Sequence, residues 1–119
     1  MARRRRGGPG DGTGGTEPAG AGCQIGELLA MLGQPHMLRV LHAFEAEGGR
    51  AIRFRDLERS LSLSPKTLSI RLRTLVEAGF LTRHEYRELP PRVEYEPTAK
   101  TAELGTLFAT LASWARRNS

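Results

Sequence analysis

Apolar positions along the chain recur at the spacing of amphipathic helices in five stretches. Each stretch places apolar residues three and four positions apart, which is typical of a helix with one buried face. The second stretch opens with Pro35 in its first turn and stops at the Gly48-Gly49 pair. The predicted helices span residues 23–32, 35–47, 54–61, 65–78 and 98–116.

Two further segments predict β-strands. Residues 80–86 and 92–96 form the strands, and the loop between them contains Pro90 and Pro91. Because proline cannot donate a ladder hydrogen bond, the doubled proline belongs in the loop of a hairpin. Residues 51–53 are a candidate for a further short strand. The predicted fold class is therefore mainly α with a small β-hairpin.

The fourth predicted helix has a well-marked start and two different faces. Ser64 is a good N-cap, and Pro65 suits the first helical position. The buried face carries Leu68, Leu72, Leu75 and Val76. The outer face presents Lys66, Thr67, Ile70, Arg73 and Thr74, with Ser69 and Arg71 on its flanks.

The order of these elements predicts a winged helix-turn-helix domain with an additional helix at each end. Two helices joined by a three-residue turn and followed at once by a hairpin, which we expect to be basic, have this layout, and the second helix of the pair enters the major groove of DNA. Residues 65–78 are the predicted recognition helix, and residues 81–97 are the predicted wing on the backbone or minor groove. The candidate DNA-binding residues are Arg53, Arg55, Ser64, Lys66, Thr67, Ser69, Ile70, Arg71, Arg73, Thr74, Arg83, Arg87 and Arg92.

Several of these residues have a second interpretation. Arg73 can pair two donors with guanine, but any single basic residue on a helix can equally belong to a solvated face. Ile70 is apolar at the centre of the outer face, where it can pack on a thymine methyl group or against the preceding helix. His84 is more typical of a surface strand residue than of a pH switch.

The charge of the chain is concentrated in its middle. The 18 Lys and Arg exceed the 13 Asp and Glu by five, and residues 50–92 hold ten basic and five acidic side chains. Residues 1–22 are rich in glycine and arginine, and we expect a disordered arm before a single domain at residues 23–117. The arm contains a G-x-G-x-x-G pattern at residues 10–15, which no strand precedes and no helix follows, so it is not a dinucleotide site. The run Arg3–Arg6 is either a solvated tail or an arm that reaches DNA.

The remaining residue chemistry argues against an enzyme, a cofactor and a metal site. Cys23 is the single cysteine, so neither an internal disulfide nor a zinc site built on several thiolates can form. The three histidines, His36, His42 and His84, are scattered without a nucleophile and base beside them. No apolar run approaches the roughly 20 residues that span a bilayer, and the N-terminal arginines lack the apolar core of a signal peptide. We therefore expect a cytoplasmic protein without membrane contact.

Residues 23–114 resemble the HxlR-type family of winged-helix transcriptional regulators. The motifs that carry the resemblance are R-F-R-D-L at residues 53–57, the segment 64–75, A-G-F-L at 78–81 and P-P-R-V-E-Y at 90–95. The resemblance implies a homodimer, formed mainly by the first and last helices, that binds partly palindromic DNA near promoters. It also implies that some members respond to oxidants or electrophiles through an N-terminal cysteine, for which Cys23 is the matching position.

The apolar residues of the first and last helices fit such a dimer interface, although many of them can equally belong to the core. They are Ile25, Leu28, Leu29, Leu104, Leu107, Phe108, Leu111 and Trp114. Cys23 has two interpretations as well: a small buried hydrophobe, or a sensor thiol whose pKa the helix N-terminus lowers.

Two functions follow from the sequence. The first is a dimeric, sequence-specific regulator that binds double-stranded DNA with half-site centres roughly 34 Å apart and responds to an unknown effector. The second is a winged-helix module that binds another protein and lacks specific DNA binding, which the acidic residues Glu85 and Glu88 near the wing keep open.

Overall fold

The computed structural model describes the backbone of residues 21–119 and the side chains from Gln24 onward. Residues 1–20 of the predicted disordered arm, with Arg3–Arg6, lie outside the described residues, as does the Cys23 side chain, whereas residues 21 and 22 of that arm are helical. The chain divides into two units, with the boundary between Gln34 and Pro35. Helix α1, Ala21–Leu32, belongs to the first unit and begins two residues before the predicted start. All other elements belong to the second unit.

The second unit contains four helices and three strands. Its helices are α2 (Met37–Ala46), α3 (Phe54–Leu61), α4 (Pro65–Glu77) and α5 (Ala99–Arg117). Its strands are β1 (Ile52–Arg53), β2 (Leu81–Tyr86) and β3 (Arg92–Pro97). The strands form one antiparallel sheet in the order β1-β3-β2. The predicted hairpin is thus extended to a three-stranded sheet, because Ile52 and Arg53 pair with Tyr95 and Glu94 of β3.

Helix α2 begins later than the sequence predicts. His36 adopts a left-handed backbone conformation, with φ 69° and ψ −1°, and its carbonyl oxygen accepts the first helical hydrogen bond from the Val40 N–H at 3.1 Å. A residue in that conformation cannot be part of a right-handed helix, so His36 is the N-cap. The prediction that Pro35 lies in the first turn is therefore wrong.

Helices α3 and α4 are joined by a turn that the sequence identifies correctly. Ser62 ends α3 with φ 54°, and Ser64 caps α4 by accepting a hydrogen bond from the Thr67 N–H at 3.2 Å. The side chain of Arg39, on α2, donates to the carbonyl oxygen of Leu61 at 2.7 Å. This bond satisfies a carbonyl at the end of α3 and links α2 to the turn.

The core of the second unit is built from apolar residues of the helices α2, α3 and α4. Val40 and Phe44 of α2, Leu57 of α3, and Leu68 and Leu72 of α4 are completely buried. Their burial fixes which face of α4 points outward, because residues three and four apart share one side of a helix.

Helix α5 is attached to the end of α4 through its first turn. The hydroxyl of Thr98 donates to the carbonyl oxygen of Gly79 at 2.7 Å, and that of Thr101 donates to the carbonyl oxygen of Phe80. Leu104 is only 8% exposed in the single chain. Of the apolar α5 residues predicted to form an interface, Leu104 therefore belongs to the core of this unit, whereas Leu107, Leu111 and Trp114 are exposed.

Candidate nucleic-acid interface

The outer face of α4 carries most of the predicted binding residues. Lys66, Ser69, Ile70 and Arg73 are exposed, and Ile70 retains 45% of its surface. Thr67, Arg71 and Thr74 are half-buried. Within the described part of the chain, neither Lys66 nor Arg73 has a carboxylate partner. The helix therefore presents two uncompensated cations beside an exposed apolar side chain.

Two hydroxyl groups on this helix are already engaged. Ser64 Oγ donates to Thr67 Oγ1 at 3.1 Å while it accepts from the Thr67 N–H. Thr74 Oγ1 donates to the carbonyl oxygen of Ile70 at 3.1 Å. Because a hydroxyl has a single proton to donate, Ser64 and Thr74 have no donor left for an external acceptor in this arrangement, whereas Thr67 keeps its proton.

Five predicted residues come together in one cleft between the start of α3, the flank of α4 and the wing. The cleft has a volume of about 250 Å³. Arg53 and Arg55 line it from the α3 side, and Ser69 lines it from α4. Arg83 and Arg92 line it from the wing. Residues that are separated by up to 39 positions along the chain thus surround the same space.

The wing is not basic, in contrast to the prediction. Residues 81–97 carry three arginines and four glutamates, a net charge of −1 with His84 neutral. The count of ten basic and five acidic side chains covers residues 50–92. It therefore omits two carboxylates of the wing, Glu94 and Glu96. By comparison, residues 52–77 carry six basic and three acidic side chains, a net charge of +3.

Most charges of the wing are paired within it. Arg83 pairs with Glu85 at 3.3 Å, and Arg92 lies 3.2 Å from Glu88 and 3.0 Å from Glu94. The His84 ring lies 3.0 Å from the Glu96 carboxylate. The pairs Arg83–Glu85 and Arg92–Glu94 follow from the strand itself, because residues two apart share a face. Among the described wing cations, Arg87 is the one without an ion pair.

Two aromatic residues hold the wing arginines in place. The Arg92 guanidinium lies over the Tyr86 ring, 4.3 Å from its centre. Arg83 and Tyr95 are opposite each other in the β2–β3 register. The side-chain hydrogen bond to Tyr95 raises the pKa of Arg83 above its usual value, with Glu85 adding to the effect and desolvation opposing it. Arg83 is thus a positively charged side chain with a defined orientation.

Sequence reasoning missed these pairings and the role of Arg39. A basic residue in the middle of an amphipathic helix gives no sign that it caps a carbonyl 22 positions away. Glu96 of β3 is visible in the sequence, but its partner His84 depends on the β2–β3 register. The part of the chain that the structure describes contains no helix long and apolar enough to cross a membrane.

The fold and the exposed face of α4 define a winged helix-turn-helix protein. Residues 31–119 match the family model of the HxlR-like helix-turn-helix. An uncharacterized HTH-type transcriptional regulator from Halalkalibacterium halodurans is 31% identical over 95 residues, which cover 79% of this chain and 82% of that protein. The chain belongs to the HxlR-like helix-turn-helix family. The family and the fold are those of transcriptional regulators, not of enzymes, as the sequence predicts.

Two further proteins are similar to this chain, one in sequence and one in structure. An uncharacterized HTH-type transcriptional regulator from Mycobacterium tuberculosis is 37% identical over 93 residues, which cover 78% of this chain and 57% of that longer protein. The reduced form of the transcriptional regulator YodB from B. subtilis has a similar structure, with a TM-score of 0.69 and 24% identity. The aligned region covers 77% of this chain and 88% of YodB. The expected winged-helix fold is thereby confirmed.

Proposed function

We propose that this regulator binds double-stranded DNA sequence-specifically as a homodimer, with α4 in the major groove. The observation that carries the proposal is the outer face of α4, where Lys66 and Arg73 are exposed and lack carboxylate partners in the described part of the chain. The major groove admits a helix, and its base edges offer acceptors to such side chains.

The residues on this face have different roles in the proposal. Arg73 reads a guanine through two donors, and Ile70 contacts a thymine methyl group. Lys66 binds a phosphate near the start of the helix, where Thr67 donates its hydroxyl proton to a phosphate or base edge. Ser64 and Thr74 support α4 and donate no hydrogen bond to DNA, because their hydroxyl protons are already donated within the protein. Arg71, half-buried on the flank, orients the helix on the backbone.

The cleft beside α4 binds the DNA backbone in this proposal. Arg53 and Arg55, which have no ion-pair partner among the described residues, supply its cations, and Ser69 adds a hydroxyl. Arg83 and Arg92 shape the cleft while they remain paired with wing glutamates. The wing then contributes a single strong contact, from Arg87 to the backbone or the minor groove.

The experiment that tests this function is the selection of bound duplexes from a random pool. A motif with twofold symmetry supports both sequence-specific binding and the dimer. In the selected duplex, Arg73→Ala weakens binding by about 1–3 kcal/mol and relaxes the preference at one base position. Absence of any enriched sequence, or of salt-dependent affinity for every duplex tested, would refute the proposal.

Exposed apolar residues on both terminal helices support the homodimer. On α1, Ile25 and Leu29 are exposed and Leu28 is half-buried. On α5, Leu107, Leu111 and Trp114 lie along one face and are each about half-exposed, with Phe108 half-buried beside them. Apolar side chains repeated along a helix surface are typical of an interface.

A pair of glutamate substitutions on α5 tests the dimer. Leu111→Glu places a charge within the apolar face, so we expect sedimentation equilibrium to show a shift toward the monomer. Ala109→Glu is the matched control, because Ala109 is exposed on the opposite side of the same helix. Equal association of both variants with the wild type would refute this interface.

We propose further that oxidation of Cys23 changes DNA affinity. Cys23 is the single thiol of the chain and lies near the start of α1, in the helix to which the dimer proposal assigns an interface. Diamide can then only form a bridge between two chains, or a mixed disulfide with an added thiol. We expect diamide to alter the affinity of the wild type and not of Cys23→Ser. An identical response of both proteins would refute the sensor.

The second candidate function is a protein-interaction module, and the net negative charge of the wing favours it. A surface with a net charge of −1 is not attracted to phosphates and can contact a basic protein. Unchanged DNA affinity after Arg73→Ala, together with loss of a protein partner, would support this function over the first.

A further inference from the structure

The second unit contains a cavity on the side of the core where α2 ends and α5 begins. Its volume is about 410 Å³, within the range of pockets that hold small organic molecules. Leu41, Phe44 and Phe108 supply apolar walls, and the Gly48-Gly49 turn lies on its rim. A Cβ atom added to either glycine would meet nothing within 4 Å, so the rim is open at this point.

One ionisable group, Glu45, is present among the described residues that line this cavity. One oxygen of its carboxylate lies 3.4 Å from His42, and the other is directed at Gly105 of α5. A Cβ atom at position 105 would lie 3.2 Å from that second oxygen. The glycine therefore permits the carboxylate to approach the helix at the wall of the cavity.

The other polar side chains of the cavity are already engaged. The hydroxyl protons of Thr98 and Thr101 are donated to the carbonyl oxygens of Gly79 and Phe80. Lys100, in the first turn of α5, donates to the Ala78 carbonyl at 2.7 Å and lies over the Phe80 ring, and no ion pair links it to Glu45 in the described residues. The cavity thus offers a carboxylate acceptor and no uncommitted side-chain donor among its described lining residues.

We infer that this cavity binds a small organic cation, namely a primary amine or ammonium group attached to an apolar body of one or two rings. The apolar walls remove the rings from water, and the Glu45 carboxylate accepts the charge-assisted hydrogen bond of the ammonium group. A carboxylate ligand of the same size would be repelled by Glu45 and find no side-chain donor. The inference concerns binding alone and does not depend on the proposed DNA binding.

Calorimetric titration of the full chain with three ligands of one shape tests the inference. The ligands are 1-naphthylmethylamine, 1-naphthalenemethanol and 1-naphthoate, which differ in charge and not in their ring system. We expect the amine to bind at least ten-fold more tightly than the alcohol, and the carboxylate to bind least. Equal affinity for amine and alcohol, or no binding of the amine, would overturn the proposal.

Three variants locate the site. Glu45→Gln should reduce the preference for the amine over the alcohol to less than two-fold, and the change should be tolerated because Glu45 is half-exposed. Ala102→Leu introduces a larger side chain at the cavity wall and should weaken all ligands several-fold. Ala109→Leu, exposed further along α5 and away from the cavity, is the matched control and should bind as the wild type does. Retention of wild-type amine affinity by both Glu45→Gln and Ala102→Leu would overturn the assignment.

Discussion

The contrast between residues 52–77, with a net charge of +3, and the wing at residues 81–97, with a net charge of −1, predicts how DNA binding depends on salt. Each phosphate neutralised by a protein cation lowers the slope of log K against log salt concentration by about 0.9. Lys66 is exposed and without a carboxylate partner in the described part of the chain, so it counts as a full contact. Arg83, which is paired with Glu85 at 3.3 Å, should release almost no counterion.

The perturbation is Lys66→Ala, which keeps a good helix former in the first turn of α4. A dimer loses two contacts, so the slope should become shallower by about 1.8. Between 50 and 200 mM salt, the loss of affinity should then be about 12-fold smaller than in the wild type. Fluorescence anisotropy on a duplex selected from a random pool measures both slopes.

The control for this prediction is the double variant Arg83→Gln with Glu85→Gln, which leaves the net charge of the wing unchanged. We expect its slope to equal that of the wild type, since the pair is already neutral. A slope that becomes shallower by about 0.9 per chain in this double variant would show that Arg83 binds a phosphate. That result, or an unchanged slope in Lys66→Ala, would refute the prediction that Lys66 of α4 binds a phosphate and that Arg83 of the wing does not.

Three predictions concern the free energy of unfolding, measured by urea denaturation. Ser64→Ala removes the acceptor of the Thr67 N–H and should cost about 1 kcal/mol. Ser60 caps no helix, so Ser60→Ala is the control and should change stability by under about 0.5 kcal/mol. Equal effects of the two variants would contradict the capping role of Ser64. Gly79→Ala should cost about 1–2 kcal/mol because φ is +86° there. Gly105→Ala should cost less, because the gain in helix propensity offsets the displacement of the half-exposed Glu45 carboxylate, which lies 3.2 Å from the added Cβ atom. An equal or greater cost at Gly105 would contradict this reasoning. Leu57→Ala should cost about 2–5 kcal/mol, because Leu57 is fully buried, and a smaller loss would place it outside the core.

The sequence by itself determined the elements that depend on short-range interactions. The Ser64-Pro65 start of α4, its buried leucines and the glycine at position 79 identify the bounds of this helix to within one residue, and they identify its exposed face. Capping and helical periodicity involve residues no more than four positions apart, and the sequence displays such relations directly. Two of the motifs that carry the family resemblance, residues 64–75 and 78–81, lie in the same part of the chain.

The tertiary structure alone decided which charges and apolar residues remain available. The β2–β3 register brings His84 to Glu96 and Arg83 to Tyr95, two pairings between residues twelve positions apart that the order of the sequence does not display. The packing of α5 buries Leu104 and leaves Leu111 exposed, although the two share the same apolar stripe. These outcomes depend on contacts between distant segments. The sequence does not show whether a charged side chain will be ion-paired or whether a leucine will be buried, because both depend on residues that the fold brings near.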